Sequence, residues 1–202
     1  MTKIKLCGLK RPCDITDANE RAPDFIGFVF AKGSKRYVAP KEAEALRRKL
    51  NQGIVPVGVF VDEEPDVIAG LVKQHIIEAA QLHGSEDEHY IHALRQRTGC
   101  TIIKAFRMEG MQEVTSINRS SADYVLLDSG GGSGETFDWS VLRQVERPYF
   151  LAGGLTALNV QEAIDRYRPF GVDASSCLET QGVKDKEKMA AFVGAVRQGK
   201  DL

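Results

Sequence analysis

A thiol, a carboxylate and two glycine- or serine-paired turns are the residues of this chain best able to do chemistry. Cys7 closes the run Ile4 to Cys7 and is followed by Gly8; Asp128 closes Tyr124 to Leu127. Gly153-Gly154 follows the run Tyr149 to Ala152, and Ser175-Ser176 follows Val172 to Ala174, with Asp173 inside it. Paired glycines and serines leave backbone N–H groups unshielded, which suits them to holding a phosphate. Cys7 reads as a small buried hydrophobe or as a reactive thiol, the second favoured by Lys5, two residues earlier on the same strand face. On that reading the ammonium lowers the thiol pKa. Asp128 reads as a turn cap or as an acid raised by partial burial. Arg36, in AKGSKRYV, is either solvated or able to grip a carboxylate with its planar guanidinium. Gln81 and His83 end a further apolar run, and His83 is a substrate contact or a satisfied hydrogen-bonding group.

Positioning these residues together requires that the runs be strands ending at one place. Strand-like runs lie near Ile4 to Cys7, Phe25 to Phe30, Val55 to Val61, Glu78 to Leu82, Thr101 to Phe106, Tyr124 to Leu127, Tyr149 to Ala152 and Val172 to Ala174. Helical patterns alternate with them near Cys13 to Arg21, Lys41 to Leu50, Pro65 to Lys73, Glu86 to Arg97, Met111 to Asn118, Trp139 to Gln144, Ala157 to Tyr167 and Glu187 to Arg197. Pro40 and Pro65 suit first helical turns, and Ser85 with Glu88 has the spacing of a capping box. Eight alternations predict an α/β fold, a closed (β/α)₈ TIM barrel forming one compact domain over residues 1–202, at about 25 residues per unit. A doubly wound open sheet would want its glycine-rich turn after the first strand, whereas the glycines here cluster late. In a barrel the strand ends share one mouth, so a thiol base and a carboxyl acid would face a phosphosugar from opposite sides.

Composition excludes several classes. The 202 residues carry a net charge of -1, with 43% hydrophobic and 27% charged residues, which gives no footprint for nucleic acid or an anionic membrane. The longest apolar runs contain proline and glycine and are too short to span a bilayer. No signal-peptide pattern opens the chain, and four scattered cysteines without C-x-x-C spacing read as free thiols, so a cytoplasmic location is expected. His89 and His92 lie three apart in a polar helix, a spacing that by itself does not make a metal site. No metal or cofactor is expected. With no excess apolar helix face in evidence, a monomer is expected.

Ordered blocks along nearly the whole chain resemble the phosphoribosylanthranilate isomerase family of tryptophan biosynthesis. They are KLCGLK (Lys5 to Lys10), GFVFAKGSKRYV (Gly27 to Val38), VGVFVDE (Val57 to Glu63), QLHG (Gln81 to Gly84), GGSGETFDW (Gly131 to Trp139), LAGGL (Leu151 to Leu155) and VDASS (Val172 to Ser176). The resemblance implies an Amadori rearrangement of N-(5-phosphoribosyl)anthranilate, with Asp128 as general acid and Cys7 as general base. It further implies a phosphate site at Gly154, Asp173, Ser175 and Ser176, Arg36 at the anthranilate carboxylate, and His83 in the pocket. Cys177 departs from the glycine often found after the paired serines, and Lys10 from a common threonine. The rival expectations are another phosphosugar isomerase or epimerase barrel, and a phosphate-ligand binding protein without turnover.

Overall fold

The computed structural model describes residues 1–108, 110–128 and 138–198. Residues 131–137 of the GGSGETFDW block lie outside them. Eight parallel strands close in sequence order: β1 (Lys3–Cys7), β2 (Phe25–Val29), β3 (Val55–Phe60), β4 (Ala79–Leu82), β5 (Thr101–Arg107), β6 (Tyr124–Asp128), β7 (Tyr149–Leu151) and β8 (Gly171–Ala174), with β8 returning to β1. Helices α1 (Pro12–Arg21), α2 (Pro40–Arg47), α3 (Pro65–Lys73), α4 (Glu88–Arg97), α5 (Val114–Arg119), α6 (Val160–Tyr167) and α7 (Lys186–Gln198) surround the strands. The expected (β/α)₈ barrel is therefore the fold.

Alternation along each strand sorts its side chains. Ile4 and Leu6 of β1 join the apolar layer under the helices, whereas Cys7 packs inside the barrel mouth with Val29 and Val59. Deeper in the barrel Val57, Ala79, Ile103, Leu126 and Phe150 fill the interior. Phe150 meets Phe25 edge-on, with centroids 5.5 Å apart. A Cβ on Gly171 would come within 2.5 Å of that ring, so the glycine is what admits it. Removing so buried a ring costs about 3–5 kcal/mol in comparable cores.

Several element ends differ from the sequence reading. Glu88 does not close a capping box with Ser85: Asp87 caps α4 by accepting from the Tyr90 N–H at 2.8 Å, while Ser85 donates to Asp62. The Trp139–Gln144 stretch is a 3₁₀ helix rather than α, capped by Asp138. Helix α6 starts at Val160 rather than Ala157, because Asn159 folds the preceding turn, accepting from the Thr156 N–H and donating to the Gly154 carbonyl. After β8 comes an unforeseen 3₁₀ turn (Ser176–Leu178) and a hairpin of β9 (Glu179–Thr180) and β10 (Val183–Lys184), turning through Gln181 and Gly182 at positive φ.

Candidate active site

Strand closure brings most of the expected residues to one cavity at the C-terminal ends of the strands. Arg36, Asp128, Gly153, Gly154, Asp173, Ser175 and Ser176 line it, together with Cys177. A roomier groove among Arg143, Arg147, Tyr149 and Arg166 lies at the opposite end, where β7 begins, and holds none of these groups.

Cys7 sits beside that cavity rather than on its wall, 7% exposed. The Ser175 hydroxyl donates to its carbonyl at 3.1 Å, tying the end of β8 to the end of β1. The thiol owes its space to Gly27 of the neighbouring strand, where a Cβ would stand 2.6 Å from the sulfur. Beneath it, Lys5 and Asp173 face each other across β1 and β8 and form a buried ion pair at 3.0 Å. Burial alone would strip the Lys5 ammonium of its proton, but Asp173 and the Cys7 sulfur more than offset that and raise its pKa. Asp173 feels the same desolvation in the opposite sense, which raises it against the pull of Lys5. Held 3.0 Å from the Asp173 carboxylate, the raised Lys5 keeps its proton.

The lowered thiol expected from Lys5 is reversed in sign. Desolvation is the largest influence on Cys7 and pushes it up; Lys5 and Lys184 pull it down without cancelling that push.

Asp128, at the end of β6, has His83 Nε2 3.5 Å from its carboxylate. Gln81 is buried in the barrel interior, and its amide nitrogen lies 2.9 Å from Nδ1 of His83. The loop after β4 that carries His83 is braced by the buried Lys104–Glu86 pair at 2.8 Å; Glu86 also accepts from the Asp62 and Gly84 N–H groups.

Arg36 reaches the cavity because Gly8, at φ +82°, lets its stem lie across the end of β1; a Cβ there would come within 2.5 Å of Arg36 Cδ. Its guanidinium is held side-on by Glu179, with Nε 2.6 Å and Nη2 3.0 Å from the two carboxylate oxygens. Lys184 in turn donates to Glu179 at 2.7 Å and to the Ser175 carbonyl at 2.9 Å. Lys10 has no hydroxyl to offer but braces the same loop through the Lys35 carbonyl at 2.8 Å.

Gly153 and Gly154 both take positive φ, at 77° and 66°, so their peptides turn in a way other residues resist. Cys177 does not have positive φ and needs none, because it lies within the 3₁₀ turn; burial raises its thiol to about 11.

Sequence reasoning missed Gly27, Glu179 and Lys184. Gly182, between Thr180 and Val183, marks a turn, but Gln181 before it is not a residue that usually takes positive φ, so the hairpin that sets Glu179 beside Lys184 carries only a partial signal.

The family pattern and the curated relatives agree on one family. The N-(5'-phosphoribosyl)anthranilate (PRA) isomerase family pattern matches residues 4–195. The N-(5'-phosphoribosyl)anthranilate isomerase of Lachnoclostridium phytofermentans is 41% identical, over 96% of either chain. The phosphoribosyl anthranilate isomerase of Thermotoga maritima superposes with a TM-score of 0.88 at 35% identity, covering 98% of this chain and 100% of that one. A phosphoribosyl anthranilate isomerase in complex with reduced 1-(o-carboxyphenylamino)-1-deoxyribulose 5-phosphate superposes with a TM-score of 0.86 at 34% identity, over 98% and 100% of the two chains.

Proposed function

The chain belongs to the N-(5'-phosphoribosyl)anthranilate isomerase family, and from that premise we propose that it rearranges N-(5'-phosphoribosyl)anthranilate in tryptophan biosynthesis with Asp128 as general acid and Cys7 as general base. Asp128 donates its proton to the furanose ring oxygen as the C1–O bond breaks, and the anilino nitrogen lone pair forms the C1=N iminium. The thiolate of Cys7 then takes the proton from C2, the bonding pair becoming the C1=C2 double bond of an enolamine. Tautomerisation, with a proton returned to C1, gives 1-(2-carboxyphenylamino)-1-deoxyribulose 5-phosphate. The iminium is the electron sink, so the reaction needs no metal or organic cofactor.

The observation that carries this reading is the cavity that joins Asp128 to the glycine and serine turns, with Cys7 tied to its edge through Ser175. Gly153, Gly154, Ser175 and Ser176 hold the phosphate, at the ends of the seventh and eighth strands where barrels of this kind commonly bind it. Arg36 takes the anthranilate carboxylate. Asp173 acts on the base through Lys5, while Gln81 orients His83 at the rim. Both ends of the substrate are thereby tethered, and the reacting carbons lie between acid and base.

The same proposal has the chain as one barrel domain, monomeric and cytoplasmic. The exposed large apolar residues Met1, Val61, Val67, Met111, Leu158 and Val183 are spread along the chain, and Cys7, Cys13, Cys100 and Cys177 are all free thiols. Among the described residues no helix is long and apolar enough to cross a membrane. Incubation with freshly prepared N-(5'-phosphoribosyl)anthranilate tests the activity: the carboxyphenylamino ketose should accumulate, and folded protein that leaves the substrate unchanged would refute it.

A further inference from the structure

Lys184 stands outside every residue assigned above, yet it contacts both Glu179, which holds Arg36, and the Ser175 carbonyl at the cavity. Its ammonium is almost wholly enclosed, with its side chain 2% exposed and that of Glu179 6% exposed. Enclosing a cation so completely is costly unless it is paired, and here it has two partners with different jobs.

The first partner is Glu179, which holds the Nε and Nη2 side of Arg36. That leaves the Nη1–Nη2 edge of the guanidinium as the one that can grip a second carboxylate. A carboxylate bound to Arg36 would by itself cancel its charge and repel an anionic substrate. Lys184 restores it: two cations against one carboxylate keep the cluster net positive.

The second partner is the Ser175 carbonyl, 2.9 Å from the ammonium. In a planar trans peptide the carbonyl and the next N–H point in opposite directions. Drawing the Ser175 carbonyl toward Lys184 therefore turns the Ser176 N–H the other way, and Ser175 and Ser176 both line the cavity.

We propose that Lys184 is a positioning residue that sets both anion clamps at once: through Glu179 it orients Arg36 for the substrate carboxylate, and through the Ser175 carbonyl it aims the Ser176 N–H at the phosphate. The proposal rests on the carboxylate and phosphate assignments of the preceding section. It adds that the two ends of the substrate share one enclosed ammonium.

Two probes separate the ends. Reduced 1-(o-carboxyphenylamino)-1-deoxyribulose 5-phosphate carries both anions, and ribulose 5-phosphate carries the phosphate alone. Calorimetric Kd values for Lys184→Met should rise about tenfold or more for each probe, the scale of one lost hydrogen bond to a charged group. The KM for N-(5'-phosphoribosyl)anthranilate should rise with them, by more than kcat falls. Lys184→Gln, which keeps a donor without the charge, is measured alongside and should weaken both probes in the same direction, so the test does not depend on one variant folding. Arg36→Met should weaken the two-anion probe by far more than it weakens ribulose 5-phosphate. Folded Lys184 variants that bind either probe within twofold of the parent protein would overturn the proposal. If instead Arg36→Met leaves the two-anion probe unaffected, the carboxylate assignment itself fails, while the ribulose 5-phosphate result still decides whether Lys184 governs the phosphate end.

Discussion

Replacing Lys5 by Met removes the buried charge closest in sequence to the proposed base. The Lys5 ammonium hydrogen-bonds the Cys7 sulfur as well as facing it as a charge, so the two lie closer than the distance of about 6.6 Å that two residues of extended strand put between backbone positions. Even at that outer distance, with an effective dielectric constant of about 20, a unit charge favours the thiolate by about 2.5 kcal/mol, or about sixtyfold in its population, which sets a lower bound on the direct effect. Asp173 reduces the effect: it raises the thiol as Lys5 lowers it, and without Lys5 it tends to take up a proton and lose that influence. The expected loss of kcat/KM at neutral pH is therefore about tenfold or more. With the proposed base acting as a thiolate, kcat/KM should rise with pH, and the Lys5→Met profile should lie to the alkaline side and approach the parent at high pH. Removing one partner of a buried pair also costs about 3–5 kcal/mol, so folding is checked by circular dichroism. An independent assay is the pH dependence of Cys7 alkylation by iodoacetamide, read peptide by peptide with the exposed Cys13 as internal reference. Superimposed alkylation profiles for Lys5→Met and the parent would refute the electrostatic reasoning.

Three further outcomes follow from the same geometry. Gly27→Ala would push a methyl group to within 2.6 Å of the Cys7 sulfur, so steady-state kinetics should show kcat lowered about ten- to a hundredfold with a smaller change in KM; an unaltered kcat would mean that the thiol needs no particular place. Burial alone would raise the Glu179 carboxyl, but the hydrogen bonds from Arg36 and Lys184 prevail and hold it below the ordinary range. Its stabilising contribution is thus complete above the unfolded value of about 4.3 and is lost as pH falls through the lower folded value. Urea midpoints should accordingly fall more steeply on acidification for the parent than for Glu179→Gln, and parallel curves would count against the pairing. Cys177→Gly should cost about 0.5–1 kcal/mol in denaturant unfolding and leave the ribulose 5-phosphate Kd within twofold, since the position has no positive φ that only glycine relieves; a markedly tighter Kd would show the side chain obstructing the phosphate.

The barrel was legible in the sequence because its signal is repeated: eight apolar runs of strand length alternate with helical periodicity, and each ends in a polar or glycine turn. Lys5 and Cys7 share the barrel-interior side as their spacing of two requires. The sign of the thiol shift was not legible, because it depends on how completely closure removes water from Cys7, a three-dimensional quantity that outweighs the neighbouring ammonium. Nor could periodicity find Glu179 and Lys184, which lie in two-residue strands too short to carry a pattern. Gly27 looked like any strand glycine until its partner across the ladder proved to be Cys7. The Ser85–Glu88 box failed for a local reason: Asp87 competes for the same N-terminal donors, and Asp62 takes Ser85.

The division of labour between sulfur and carboxylate is tested most directly by separating binding from turnover in Cys7→Ser and Asp128→Asn. Each folded variant should bind reduced 1-(o-carboxyphenylamino)-1-deoxyribulose 5-phosphate with a Kd near that of the parent while its kcat falls by about a hundredfold or more, the scale of one lost acid or base. Either variant turning over N-(5'-phosphoribosyl)anthranilate at close to the parental rate would contradict the account.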